Sequence, residues 1–194
     1  MNMKRSWIII IVIVLLVIIS FFSYNNLVQL QENVTKQWAN VESVYQRRAD
    51  LIPNLVSTVK GYANFEKSTL TQVVEARAKA TSVNIDPSKL TQESLQQFQQ
   101  NQEALGSALS RLMVVVERYP DLKANQNFQD LQSQLEGTEN RIAVARRNYN
   151  EAVNDYNAKL KKFPVFIYAK MLNFDRKAYF QADKGTEKAP KVEF

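Results

Sequence analysis

The chain opens on an unbroken apolar run, Trp7 to Ile19 (WIIIIVIVLLVII), which Ser20, Phe21, Phe22, Ser23 and Tyr24 extend. No charged residue lies between Arg5 and Glu32. A hydrocarbon layer of ~30 Å needs about 20 helical residues, and positions 6–24 supply nearly that. The β-branched residues do not oppose a helix here, because lipid forces backbone groups to bond within the segment. Trp7 and Tyr24 bracket the run, as amphipathic rings do at the two membrane interfaces. The pattern predicts a transmembrane anchor over residues 1–24 with those two side chains as interface anchors. Phe21, Phe22 and Tyr24 are too bulky for a signal-peptide cleavage site, so the anchor is expected to be retained.

Beyond Tyr24 the apolar positions recur at steps of three and four. One series runs Leu27, Leu30, Val34, Trp38, Val41, Tyr45, Arg48, Ile52, Leu55, Val59, Tyr62. A second runs Leu95, Phe98, Gln102, Leu105, Leu109, Leu112, Val116, Tyr119. A third runs Phe128, Leu131, Leu135, Thr138, Ile142, Ala145, Tyr149, Ala152, Tyr156, Lys159, Phe163. Spacing of this kind, sustained this long, describes amphipathic helices packed at shallow, coiled-coil-like angles. No segment shows the period-two alternation of a strand.

The interruptions are few. Ile85-Asp86-Pro87-Ser88 is predicted as a turn, with Asp86 as N-cap and Pro87 as the first helical residue. Tyr119-Pro120-Asp121 separates the last two long helices, and Lys162-Phe163-Pro164 ends the final one. Pro53 falls inside the first series, where it either kinks one helix or starts another. Gly61 weakens the same stretch by ~1 kcal/mol relative to alanine. The fold expected is all-α: an N-terminal transmembrane helix continuing into an antiparallel bundle of three to four long helices, about 25–82, 88–118 and 122–162. Residues 25–163 form the bundle, and 164–182 a short helix packed on it. Residues 183–194 are expected to be a disordered tail.

Charge sharpens this picture. The net charge is +6, but it sits at the ends. Residues 1–24 carry only Lys4 and Arg5, residues 25–158 are nearly balanced, and 159–194 are strongly basic. A nucleic-acid binder would place its basic stripe on the folded core, so no nucleic-acid partner is expected. A basic tail next to an anchor suits anionic lipid headgroups, although a merely solvated tail has the same composition. Lys4 and Arg5 precede the span and the next basic residue is Lys36, so the N-terminus is expected in the cytoplasm and the bundle outside it.

Candidate chemistry is sparse. The chain has no histidine and no cysteine, which removes the commonest general base and transition-metal ligand, thiolate chemistry and disulfides. It contains four glycines and no phosphate-cradling glycine motif. Neither a catalytic residue nor a cofactor or metal site is expected, and the chain reads as a non-enzyme. Glu136 and Glu139 are three apart, but a di-metal bundle site pairs glutamates with histidine. Arg48 occupies a core register of the first series. Antiparallel packing could bring it to Glu139, so Arg48, Asp50, Glu139 and Arg141 are the candidate structural ion network, with an anion site as the functional alternative. The glutamine-rich stretch Thr91–Gln102 is expected to be an exposed helix face. Tyr149-Asn150 and Tyr156-Asn157 repeat one heptad apart and suggest a hydrogen-bond ladder between helices. Trp38, Tyr45, Tyr62, Phe65, Tyr149 and Tyr156 are expected to be core aromatics.

Several strings resemble one known family. Tyr24-Asn25-Asn26-Leu27-Val28 resembles the membrane-exit motif of LemA proteins. Arg47-Arg48-Ala49-Asp50-Leu51-Ile52-Pro53-Asn54-Leu55-Val56, followed by Val59-Lys60-Gly61-Tyr62, is similar to that family's most distinctive block. Tyr119-Pro120-Asp121-Leu122-Lys123-Ala124-Asn125 is similar to a second block, and Glu136-Gly137-Thr138-Glu139-Asn140-Arg141-Ile142-Ala143-Val144-Ala145-Arg146-Arg147-Asn148-Tyr149-Asn150 to a third. Phe163-Pro164 and Phe174 fit the C-terminal part. The resemblance implies a small bacterial inner-membrane protein with one N-terminal span, a long-helix bundle and no assigned catalytic residues. It also implies a link, in some relatives, to magnetosome membranes, and gene neighbours that are membrane metallopeptidases or TPM-domain proteins. The expected partners are therefore membrane lipid, a second copy of the chain, or a membrane metallopeptidase or TPM-domain protein. The leading expectation is a membrane-anchored scaffold or adaptor in envelope organisation or stress response. An accessory subunit of a membrane protease or transport system, or an anionic-lipid-binding membrane-shaping protein, stands beside it.

Overall fold

The computed structural model of the protein describes residues 2–61, 66–83, 85–87 and 90–181. Within them the chain is helical and contains no strand. The first helix, α1 (Asn2–Lys60), runs for 59 residues, which at 1.5 Å per residue is about 88 Å. Its first part projects alone. At Trp7 and Ile8, and from Ile10 to Phe22, the large apolar side chains are solvent-exposed, as residues meant for lipid would be. From Leu27 onward the helix enters the core.

Three more helices and two single helical turns complete the described fold. They are α2 (Lys67–Ser82), α3 (Gln92–Val116), the single turn α4 (Pro120–Lys123), α5 (Gln126–Leu160) and the single turn α6 (Val165–Tyr168). Helix α5 lies along the outer part of α1, and α2 and α3 form a hairpin against that pair. Arg48 meets Glu139 and Trp38 meets Tyr149. The two contacts are ten residues apart on each helix, in opposite directions, so α1 and α5 are antiparallel in one register. Extended toward the span, that register sets Leu160 beside Leu27, and both belong to one buried cluster.

The periodic series define the core almost as written. Leu27, Val34, Trp38, Val41, Tyr45, Arg48, Ile52, Leu55 and Val59 are all buried, as are Leu95 to Val116 of the second series and most of the third. Phe163 is the exception: it is 70% exposed, beyond the end of α5. Helix periodicity no longer places a side chain once the helix has stopped.

The boundaries differ from expectation at four places. The first bundle helix does not run to residue 82; it ends at Lys60, next to Gly61, and a separate α2 begins at Lys67. Of the two expectations for Pro53, the start of a new helix is ruled out, because α1 continues through it. A proline at 53 cannot donate to the carbonyl of residue 49. Arg77 of α2 donates its Nε–H to that Ala49 carbonyl instead, at 2.8 Å. Helix α3 starts at Gln92 rather than after Pro87, because Thr91 is the working N-cap, its hydroxyl accepting from the Ser94 N–H at 3.2 Å. Asn125 caps α5 in the same way, accepting from the Phe128 N–H at 3.1 Å. Finally, the C-terminal segment is helical only over α6. From Phe174 to Gln181 it is an extended strap lying along the bundle. Tyr62 and Phe65, and the tail at 183–194, lie outside the described residues.

Candidate functional site

Two apolar clusters share the bundle. The first gathers the membrane-proximal half of α1, the start of α3 and the second half of α5, from Leu27, Trp38 and Tyr45 to Tyr149, Tyr156 and Leu160. The second gathers Ile52 to Val59, α2, the rest of α3 and the start of α5. Between them lies a polar layer of Arg48, Gln102 and Thr138, all buried. The guanidinium of Arg48, 5% exposed as a residue, approaches Glu139 with Nε 3.1 Å from Oε1. The Nε–H is not aligned with the carboxylate, so the contact is Coulombic rather than a directed hydrogen bond. Glu139 is half-exposed and keeps part of its hydration.

Gly106 of α3 makes room for this arginine. A Cβ at position 106 would come within 3.1 Å of Arg48 Nη2. A cavity of 160 Å³, lined by Tyr45, Arg48, Gln102, Gly106 and Glu139 among others, borders the layer. It has room for a few water molecules to complete the hydrogen bonds of Arg48.

The four residues expected to form an ion network are not all brought together. Arg48 and Glu139 meet. Asp50 is exposed and accepts instead from Gln46 Nε2 at 2.7 Å, one helical turn away. Arg141 is exposed on the outer face of α5. At 3.6 residues per turn, positions two apart point to nearly opposite sides of a helix, so Asp50 faces away from Arg48 and Arg141 away from Glu139. Of the two expected interface anchors, Trp7 is exposed along the projecting part of α1, and Tyr24 packs edge-on against Phe174 with ring centroids 5.8 Å apart. The glutamine-rich stretch is not wholly a solvated face. Gln99 and Gln102 are buried, Gln99 donating to the Gln181 carbonyl and Gln102 to the Ala80 carbonyl, each at 3.2 Å.

The Tyr-Asn repeat does build a hydrogen-bond ladder, but its second rail is the strap, not a helix. Asn157 donates to the Lys177 carbonyl at 2.9 Å and accepts from the Lys177 N–H at 3.0 Å. Asn150 does the same to Phe180, at 3.1 and 2.9 Å. Tyr149 donates its hydroxyl to the Ala178 carbonyl at 3.0 Å. The fit is metrical. Seven helical residues rise about 10.5 Å, and three extended residues span about 10 Å. Two asparagines one heptad apart therefore match backbone positions three apart. Phe180 then drops into a box of Trp38, Phe98 and Tyr149, with centroids 5.3–6.5 Å away, and the Arg146 guanidinium covers its ring at 5.1 Å.

Burial shapes the ionisation of these groups. It pushes the Tyr149 hydroxyl up, out of the usual tyrosine range. Burial, helped by the negative charge of Asp175, pushes Tyr156 up to about 12. Burial also lowers the Lys177 ammonium from its ordinary value, against the opposing pull of Asp175 and Asp86. The phenols are thus neutral donors at physiological pH, suited to holding backbone rather than to acid–base work.

Among the described residues no group of three or more acidic side chains is arranged to hold a metal ion. Ser57 and Lys60 have the serine-x-x-lysine spacing of one nucleophile class, but both are exposed on α1. What the arrangement can do chemically is bind extended backbone and bury one arginine.

Comparison with known proteins agrees with this architecture. Residues 37–194 match the model of the LemA family. Two magnetosome proteins MamQ of Paramagnetospirillum magneticum are 28% identical over 177 residues, covering 81% of this chain and 64% of theirs. Protein LemA of Metamycoplasma hominis is 25% identical over 170 residues, covering 86% of this chain and 74% of its own. The chain therefore spans less than two thirds of the magnetosome relatives it matches. The family match covers the bundle from residue 37 onward, with the polar layer and the strap, and the chain belongs to the LemA family.

Proposed function

We propose that this protein is a non-enzymatic scaffold that holds a rigid helical post on a bacterial cytoplasmic membrane. The observation that carries the reading is the continuity of α1. One helix supplies both the apolar segment, long and apolar enough to cross a membrane, and a long core helix of the bundle. From Leu27 to Lys60 the post reaches about 50 Å from the span. Such a helix transmits position and orientation between membrane and bundle, which an unstructured linker would not. The relatives support the reading in that their names denote a body they belong to, not a reaction.

The bundle would serve as the surface on which further copies or a membrane-bound partner assemble, on the extracytoplasmic side if Lys4 and Arg5 set the topology. Crosslinking in intact cells, followed by purification from membranes with mass and partner identification, tests this. A defined homo-oligomer or a stoichiometric partner is expected. A lone monomer with no crosslinked neighbour overturns the scaffold reading. A C-terminal reporter active only in the cytoplasm overturns the topology.

A further inference from the structure

The end of the bundle nearest the span is unusually apolar on its outside. Phe163, Phe166, Ile167, Met171 and Leu172, all between the end of α5 and the strap, are 49–81% exposed. Five large apolar side chains within ten residues are not the scattered exposure of an ordinary surface. The segment is not loose. Val165 and Ala169, between the exposed residues, are buried in the same cluster as Leu27. The segment also carries regular backbone bonds, such as Ala169 N–H to the Val165 carbonyl at 2.9 Å and Phe174 N–H to the Ala169 carbonyl at 2.9 Å.

Its height along α1 is fixed by two observations. The α1–α5 register sets Leu160 beside Leu27, so the residues after Leu160 continue toward the span. Phe174, at the far end of the segment, touches Tyr24, the residue at which the apolar run of α1 ends. The exposed patch therefore lies at the level where α1 leaves the bilayer. Its surroundings have the matching charge. Residues 159–176 contain Lys159, Lys161, Lys162, Lys170 and Arg176 against one acid, Asp175. Apolar side chains rimmed by lysines are the composition of a segment that lies in the headgroup region of an anionic bilayer.

We propose that residues 161–172 form a foot that dips into the same leaflet α1 exits through, giving the protein a second membrane contact beside its span. The occupant of the patch is lipid. It is continuous with the lipid around α1, and its headgroups answer the lysines. Two points of contact fix the tilt of the post, which a lone helix crossing the bilayer leaves free.

The absence of cysteine allows a clean test on the full chain, reconstituted in vesicles of mixed zwitterionic and anionic lipid. Single variants Phe166→Cys and Met171→Cys carry an environment-sensitive fluorophore. Phe21→Cys marks the span, and Val114→Cys, an exposed apolar site on α3, marks the bundle surface. The labels at 166 and 171 are expected to be quenched by spin-labelled lipid several-fold more than the label at 114, and at shallower depth than the label at 21. Replacing Lys161, Lys162 and Lys170 by glutamine should reduce that quenching only in anionic vesicles. Lipid quenching at 21 with none at 166 and 171 overturns the foot and leaves the anchor standing. Labels at 166 and 171 that are shielded from aqueous quencher but untouched by lipid quencher mean that protein covers the patch, which also overturns it. No lipid quenching at 21 overturns both the anchor and the foot.

Discussion

Replacing Pro53 by alanine should make Arg77 nearly dispensable. Pro53 lacks the N–H that would bond Ala49, and Ala49 is 2% exposed, so water cannot satisfy its carbonyl. Arg77 reaches across from α2 to do so at 2.8 Å. A hydrogen bond from a charged donor to such a group is worth about 1.5–3 kcal/mol, much of it the cost of leaving the carbonyl bare. Arg77→Met keeps the aliphatic stem and removes the donor, so in the native background it should cost about 2 kcal/mol. In the Pro53→Ala background the new N–H serves the carbonyl. The same change should then cost about 0.5 kcal/mol, the carbonyl's second lone pair being the remaining loss. The expected coupling is therefore about 1.5 kcal/mol, well above the ~0.5 kcal/mol scatter of independent sites. The assay is a double-mutant cycle by denaturant unfolding of detergent-solubilised full chain, followed by helical circular dichroism. Additive losses would refute the argument, since they would mean that Arg77 supports α2 for some reason unrelated to Pro53.

Three further outcomes follow from the same geometry. Asn157→Leu removes the two hydrogen bonds that Asn157 makes to the Lys177 backbone; at about 3 kcal/mol for the pair, the strap should open roughly a hundredfold more often. Trypsin cleavage after Arg176 or Lys177 should quicken accordingly while the helical signal holds, and an unchanged cleavage rate would count against the clamp. In the polar layer, Glu139→Leu should destabilise more than Arg48→Met, despite the greater exposure of Glu139. The first strands a buried charge, and the second removes it, a difference of about 1–3 kcal/mol that thermal melts will read; the reverse order would refute it. For Tyr156, a folded-state pKa of about 12, above its ordinary 10.0, means its contribution is whole below pH 10 and is lost as pH rises toward 12. Tyr156→Phe should therefore flatten the fall in melting temperature between those limits, and Tyr149, shifted in the same direction by burial, should behave alike. Identical slopes for native and variant chains would refute that assignment.

Much of the fold was legible because helices write their core positions at a fixed spacing. Along the first series from Leu27 to Val59 every position is buried except the half-buried Leu30, and Arg48 was visible as the one charge among them. The apolar run of α1 was equally plain, since lipid selects for composition and length alone. Boundaries were less legible. Asp86-Pro87 reads as the start of the helix, and only the Ser94 N–H bonding Thr91 shows that Thr91 caps α3 instead.

The pairings between elements were decided by tertiary structure. The Asn150 and Asn157 repeat showed that something would be gripped, but an amide offers the same donor and acceptor to a helix side chain as to an extended backbone. Only the course of residues 174–181 chose the strap. Asp50 and Arg141 were grouped with Arg48 and Glu139 by proximity in sequence, and helix rotation separates them. Pro53 read only as a kink or a helix start; that α1 continues through it and that Arg77, 28 residues on from Ala49, takes up the Ala49 carbonyl are seen only in the packed helices. Local sequence determined where each helix would bury its face and which backbone groups would be left wanting. Which distant side chain answered each of them depended on the antiparallel register of α1 and α5 and on the return of the chain to the foot of the bundle, because those contacts exist only once the helices have packed.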